Sequence, residues 1–221
     1  MLTTQQINYF KLFGYLVIRG AYKHDIEAFS QAFDEVFEDP DQFRMDTDST
    51  PYVRGKREVV PAIIDQHPTL QKLSDDSQLT AIADSLLSCE YTFLKGDGSR
   101  FHTQNTTWHV DAYTNPKHKS THIKMALYLE PLTGKNGALR VIPGSHNDSD
   151  TYTASLRELV TSEENPPTST IGVEGQDVPC VAISTEPGDL IVWNRRIAHA
   201  SYCSNAPRRV ITFGFRAAIG H

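Results

Sequence analysis

From Glu90 to Ala217 the sequence is cut into short β-prone runs, and this restricts the available folds more than any other feature. The runs are Tyr91–Lys95, Arg100–Thr107, Thr121–Glu130, Ala138–Ile142, Val178–Ser184, Asp189–Asn194 and Arg208–Ala217. Turn signals punctuate them: KGDG, TGKNG, PGSH, EPGD and SNAP. Before Glu90 the pattern is helical, with one strand. Thr3 or Thr4 can cap a helix through Phe13, Gly14 breaks it, and Tyr15 to Arg19 reads as a strand. Ile26, Phe29, Phe33, Val36 and Phe37 recur at helical spacing between His24 and Phe37. Leu70, Leu73, Leu79, Ile82, Leu86 and Leu87 do the same along one helix expected from Pro68 to Leu87. DPDQF and DTDSTP read as loop, and Tyr152–Ser162 as a short surface helix. Helices followed by many short strands predict a mainly β fold with flanking helices, an antiparallel barrel or sandwich. One domain over 1–221 is expected, with helical and strand support in 1–89 and the barrel core in 90–217.

Composition narrows the partners. A net charge of −6 argues against a nucleic-acid partner, which requires a basic face, but leaves room for a local basic pocket. The N-terminus MLTTQQINYF lacks the charged and apolar regions of a signal peptide, and no apolar run is long enough for a membrane span. Cys89, Cys180 and Cys203 form no CxxC pair, so a reducing, cytoplasmic setting is expected. The partner expected is a small-molecule substrate; nothing in the sequence specifies an oligomeric state.

The stretch WHVDAY carries His109 and Asp111, two residues apart at a strand end and so projecting to one side. Such a pair alone is ordinarily no more than a hydrogen-bonded pair. A mononuclear non-haem iron site needs two imidazoles and a carboxylate on one face of the metal, with the opposite positions open. His199, after the strand-like Asp189–Trp193, is the strongest candidate for the third ligand. A dicarboxylate that chelates iron at one end needs a cation for its far carboxylate, and a planar guanidinium suits that. Arg208 or Arg209 can supply it from the strand next to the one carrying His199. Adjacent residues face opposite sides, and Arg208 is favoured. Val210, Thr212 and Gly214 share its face, while Ile211, Phe213 and Phe215 pack on the other with Arg209 at the rim.

Five pieces now stand in order: LTTQQINYFKLFGYLVIRG, WHVD, NGALRVIPGSH, PGDLIVWNRRIAHAS and NAPRR. Together they resemble the phytanoyl-CoA hydroxylase (phytanoyl-CoA dioxygenase) family of Fe(II)/2-oxoglutarate-dependent oxygenases, from about residue 3 to 217. The resemblance implies a double-stranded β-helix, a jelly-roll or cupin-like barrel. It implies that His109, Asp111 and His199 ligate iron and that Ser201 and Arg208 hold the 2-oxoglutarate carboxylate. O2 would be the other cosubstrate, succinate and CO2 would be released, and ascorbate would support turnover. Related halogenases replace the carboxylate ligand by a small residue, so Asp111 implies hydroxylation or desaturation.

Other polar and aromatic residues enter as candidates. On a strand over Thr121–Glu130, Lys124 shares a face with His122, Ala126 and Tyr128, opposite Ile123, Met125, Leu127 and Leu129. An inward lysine needs an anionic partner, either 2-oxoglutarate or an acidic substrate; otherwise it lies at a strand end and reaches solvent. Arg140, Trp108, Trp193 and Tyr113 are candidate substrate contacts, and Arg54–Arg57 is a solvated loop or a mobile lid. His146 reads as structural, and His102, His118 and His122 have no partner at ligand spacing. His24, His67 and His221 read as surface residues. The expected substrate is a small polar, carboxylate-bearing metabolite. Two other readings stay open: a cupin-like metal enzyme that does not use 2-oxoglutarate, and a non-catalytic β-barrel binding protein.

Overall fold

The computed structural model describes residues 1–49, 54–103, 105–111, 122–147 and 172–218, with 151, 155–156 and 160–161 (backbone only at 46–49 and 54–56). Helix α1 (Thr4–Phe13) starts at a capping box, in which Gln6 N donates to Thr3 Oγ1 at 3.2 Å and Thr3 N donates to Gln6 Oε1 at 2.8 Å. Gly14 ends it at φ +80°, and a Cβ there would stand 2.4 Å from the ring of His146. That packing, with Lys11 O 3.2 Å from His146 Nε2, gives His146 the structural place expected of it. Strand β1 (Tyr15–Ile18) follows, then α2 (Ile26–Glu38), which buries Ile26, Phe29, Phe33, Val36 and Phe37.

The single helix expected over Pro68–Leu87 is two, α3 (Pro68–Gln71) and α4 (Ser77–Leu87). Asp76 divides them: its carboxylate accepts from Gln78 N at 2.8 Å and Leu79 N at 2.9 Å, a cap that begins a new helix. Of DTDSTP, expected as loop, the described residues Asp46–Ser49 lie in strand β2 (Met45–Ser49), which pairs antiparallel with β3 (Arg54–Val60). A polar, charged sequence is tolerated there because β2 is an edge strand. Arg54–Arg57 therefore opens a strand rather than forming a loop.

The remaining strands are β4 (Tyr91–Phe101), β5 (Thr106–His109), β6 (His122–Tyr128), β7 (Leu139–Val141), β8 (Val181–Ala182), β9 (Leu190–Asn194), β10 (His199–Ser201) and β11 (Arg208–Ala217). KGDG, expected as a turn, runs inside β4. Its glycines serve close approach instead: a Cβ at Gly98 would lie 2.4 Å from Ile63 Cδ1, and one at Gly96 would lie 3.0 Å from Phe213. Beside them the β4–β11 register shifts between Thr212 and Gly214.

All pairings are antiparallel, in a seven-stranded sheet β1-β9-β6-β11-β4-β3-β2 and a four-stranded sheet β5-β10-β7-β8. The architecture is a double-stranded β-helix with helices flanking it. One face of the large sheet packs Ile123, Met125, Leu127, Ile211 and Phe215 against Phe29, Phe33, Phe37, Leu70 and Leu79 of the helical layer. Of the helix expected at Tyr152–Ser162, the described positions Ser155, Leu156, Val160 and Thr161 are helical. Val160 is buried in the cluster behind the small sheet, with Trp108, Ile142 and Ala200. Among the described residues no helix is long and apolar enough to cross a membrane.

Candidate metal centre and its cavity

The sheets meet around a cavity of about 860 Å³ that holds the His-Asp-His set. Strand pairing explains why: β5 and β10 are neighbours, and His109 lies directly opposite His199, with ring centroids 4.2 Å apart. Asp111 sits two residues past the end of β5, where its backbone N donates to Arg195 O at 2.9 Å. His199 Nε2 is 3.5 Å from Asp111 Oδ2, and His109 Nε2 is 4.0 Å from Asp111 Oδ1.

The donor chemistry fits a divalent transition metal. One ligand atom from each residue lies within 4.8 Å of the others. Ligands about 2.1 Å from a shared ion stand about 3 Å apart at right angles, so a closure of about 1 Å completes the set. His109 Nδ1 is 2.8 Å from Thr107 O and His199 Nδ1 is 2.9 Å from Ile197 O. A carbonyl only accepts, so each Nδ1 carries the hydrogen and each Nε2 presents its lone pair to the shared point. Burial, reinforced by the neighbouring His199, pushes the His109 imidazole down to about 3, and burial likewise lowers His199. Both imidazoles are neutral at physiological pH. Burial alone would raise the Asp111 carboxyl, but Lys124, His199 and His109 outweigh it and hold it well below the usual range. Lys124 Nζ is 3.2 Å from Asp111 Oδ2 and lies over the Trp193 ring, whose Nε1 donates to the same oxygen at 3.3 Å.

Arg208 stands at another part of the cavity and is 2% exposed. Its Nη1 donates to Gly137 O at 2.7 Å and to Ser201 Oγ, while Ser201 Oγ donates to the same carbonyl at 2.7 Å. Phe101 lies under the guanidinium at 4.5 Å. Gly137 (φ +96°) permits this approach, because a Cβ there would fall 2.6 Å from Arg208 Nη1. Arg208 is not on a strand adjacent to that of His199, as expected from sequence. It is on β11 of the large sheet, and it faces β10 of the small sheet across the cavity. Arg209 points away and pairs with Glu130 and Asp34, which matches the alternation expected along β11.

The other candidates divide by strand parity. Trp193 lines the cavity, and Lys124 stands beside Asp111 with its backbone paired to Gly214, six residues along β11 from Arg208. Trp108 and Arg140 do not line it. Each is one residue out of step with a cavity-facing neighbour, so Trp108 points behind the small sheet and donates to Gly175 O at 2.7 Å. Arg140, paired with Ala200 rather than His199, donates to Gly134 O at 2.8 Å on that same far side. His102 pairs with Glu58, and His67 is the cap of α3 rather than a plain surface residue. Tyr113, His118 and His221 lie outside the described residues.

Cavity residues not expected from the sequence include Tyr128, His122, Arg195 and Arg216, while Arg57, of the basic cluster Arg54–Arg57, also lines the wall. Parity places Tyr128 and His122 on the face of Lys124, and Arg216 on the face of Arg208, so the signal was present. Arg57 enters through cross-strand pairing with Phe101, and Arg195 through a turn that has no local sequence mark.

Comparison with known proteins is consistent over nearly the whole chain. The family model described as phytanoyl-CoA dioxygenase (PhyH) matches residues 10–210. A curated relative, an ectoine dioxygenase of Sphingopyxis alaskensis, is 26% identical over 223 residues, covering 90% of this chain and 70% of its own. Among solved structures, HygX of Streptomyces hygroscopicus with nickel and 2-oxoglutarate bound superposes with a TM-score of 0.75 at 18% identity, over 99% of this chain and 88% of its own. EctD of S. alaskensis with bound Fe gives 0.70 at 20% identity, over 98% and 77%. At these identities the structural likeness speaks to the fold.

Proposed function

Since the chain belongs to the phytanoyl-CoA dioxygenase family, we propose that it is an Fe(II)- and 2-oxoglutarate-dependent dioxygenase that hydroxylates or desaturates a small polar, carboxylate-bearing metabolite. One observation carries this reading: a His-Asp-His set and a buried Arg-Ser pair share one cavity, with His109, His199 and Ser201 on the small sheet and Arg208 facing them from the large one. The ectoine dioxygenase relative, and the HygX structure that holds 2-oxoglutarate, support it further.

In this reading His109, Asp111 and His199 hold iron, and Arg208 with Ser201 holds the far carboxylate of 2-oxoglutarate. Iron and 2-oxoglutarate supply the oxidising power: O2 is consumed, 2-oxoglutarate is split to succinate and CO2, and one oxygen atom becomes available to a substrate C–H bond. The chain's own contribution is position and charge. Thr107 and Ile197 carbonyls fix the imidazoles with Nε2 toward the metal. Trp193 and Lys124 hold Asp111 from the opposite wall, so the carboxylate cannot rotate away. Phe101, Tyr128 and Trp193 line the walls and restrict water.

Purified protein given Fe(II), ascorbate and O2 is expected to convert 2-oxoglutarate to succinate, faster with a suitable carboxylate metabolite, and His199→Ala is expected to abolish this. Persistence of turnover in folded His199→Ala protein, or none in the wild type across a broad panel, rejects the assignment.

A further inference from the structure

The cavity wall is strongly basic in a chain of net charge −6: it carries Arg57, Lys95, Lys124, Arg195, Arg208 and Arg216 against Asp97 and Asp111. Several of these charges have assigned partners. Lys95 is paired with Asp65, Lys124 with Asp111, and Arg208 is bonded to Gly137 O and Ser201. Asp97 Oδ1 accepts from Ala62 N. Arg195 and Arg216 are different: neither forms an ion pair with any described residue. The acid that acts on Arg195 is Asp111, at longer range and already engaged by Lys124, while Arg216 acts on it as a like charge. The stretch AYTNPKHKST, which joins Asp111 to His122, contains no acidic residue.

The two arginines are held close together. His122 pairs with Arg216 across β6 and β11, so both project from one face. Arg195 N donates to His122 O at 3.1 Å, and Arg195 Nη1 is 2.8 Å from His122 Nδ1. Arg195 O in turn receives the Asp111 N–H, which fastens this basic corner to a candidate metal ligand. The corner is separated from the other end of the cavity. Arg216 and Arg208 lie on the same face of β11, eight residues apart, or about 26 Å along the backbone. Asp111, Lys124 and Trp193 lie nearer the Arg216 end.

Half-buried Arg195 and exposed Arg216, with no ion-pair partner among the described residues, make this corner of the cavity wall positive and favour an anion there. We propose that Arg195 and Arg216 form a second anion subsite, distinct from the Arg208–Ser201 pair, that binds a carboxylate of the substrate and sets the carbon beside it at the metal. This rests on the dioxygenase reading above and gives it a substrate class: a metabolite with a free carboxylate a few bonds from the oxidised carbon. Planar guanidinium groups match the two oxygens of a carboxylate.

The test uses the anaerobic Fe(II)-loaded protein saturated with 2-oxoglutarate, so that the dicarboxylate itself occupies the inner end. A panel of small carboxylic acids, their matched primary amides, and inorganic phosphate is titrated against it. Binding is read by fluorescence, to which the cavity-lining Trp193 contributes, and by thermal stability. Acids are expected to bind and their amides not. Arg195→Gln and Arg216→Gln are each expected to weaken acid binding by about tenfold to hundredfold, with 2-oxoglutarate affinity unchanged within about twofold. Arg216→Lys, which keeps the charge, is expected to recover part of the loss and shows that the effect is not one of folding. Equal binding of amides, selection of phosphate over carboxylates, unchanged affinity in both glutamine variants, or no acid binding tighter than about 10 mM overturns the subsite. Failure of 2-oxoglutarate to bind the iron form counts against the cofactor assignment instead. The acid–amide contrast is then read in the metal-free protein, where it still decides the subsite.

Discussion

On β6, Ile123, Met125 and Leu127 are fully buried against the helices, while His122, Lys124 and Tyr128, one residue out of step, line the cavity. β11 repeats the division, with Ile211 and Phe215 on the helical side and Arg208, Val210, Thr212 and Arg216 on the other. One set of backbone hydrogen bonds thus supports an apolar face that holds the fold together and a polar face that gathers charge. The four-stranded sheet shows the same contrast. His109 and His199 point inward, whereas Trp108 and Arg140 point behind it. Stability and chemistry are interleaved along each strand rather than assigned to separate regions, so substitutions at neighbouring positions should separate them cleanly.

The largest separation is expected at Arg208 and Leu127. Arg208→Ala should lower 2-oxoglutarate-dependent turnover by about two to three orders of magnitude, since it removes the charge proposed to meet the far carboxylate of 2-oxoglutarate. Leu127→Ala should leave turnover per folded molecule within a few-fold but destabilise the protein by about 2–5 kcal/mol, measured by denaturant unfolding. A stability loss at Arg208 equal to that at Leu127, without loss of turnover, would break the division. Gly98→Ala tests the helical side more gently. Its new methyl would meet Ile63 and Phe37, and a loss of about 1–3 kcal/mol is expected with the metal centre unaffected.

A smaller effect should appear with pH in the metal-free protein. His109 is lowered to about 3 by burial and by His199, against about 6.5 when unfolded. The unfolded chain therefore binds the proton more readily, and stability is fully present above about 6.5 and falls as pH drops towards 3. Replacing the imidazole with an amide in His109→Gln should flatten that slope in thermal melts between pH 7 and 4; an unchanged slope would remove His109 as its source. The smallest effects are expected behind the small sheet, where Trp108→Phe and Arg140→Met should change turnover by less than about twofold. A larger loss there would mean that the face opposite His199 takes part in substrate binding.

The interleaving also explains what could be read from the sequence. Hydrophobic alternation on Thr121–Glu130 and Arg208–Ala217 gave the two-faced strands, and the Gly14 stop and the Ile26–Phe37 stripe gave the first helices. His109, Asp111, His199 and Arg208 share one cavity, as residue type, spacing and motif order lead one to expect. What the sequence concealed depended on contacts distant in the chain. KGDG looks like a turn, yet its glycines make room in β4 for Ile63 and Phe213. The polar β2–β3 hairpin has no apolar pattern because it lies at a sheet edge. Trp108 and Arg140 were misplaced by proximity to motifs, since one step along a strand reverses a side chain. Arg195 is positioned by bonds to His122 and Asp111, which nothing in its local sequence announces.

Opposite sheets should join the metal set to the carboxylate clamp in one 2-oxoglutarate site. The most direct test is anaerobic titration of the Fe(II)-loaded protein with 2-oxoglutarate, followed by the visible charge-transfer absorption of the chelate. One saturable site per chain is expected, lost in His199→Ala and weakened at least about tenfold in Arg208→Ala. No absorption in the wild type, or saturation untouched by both substitutions, would contradict it.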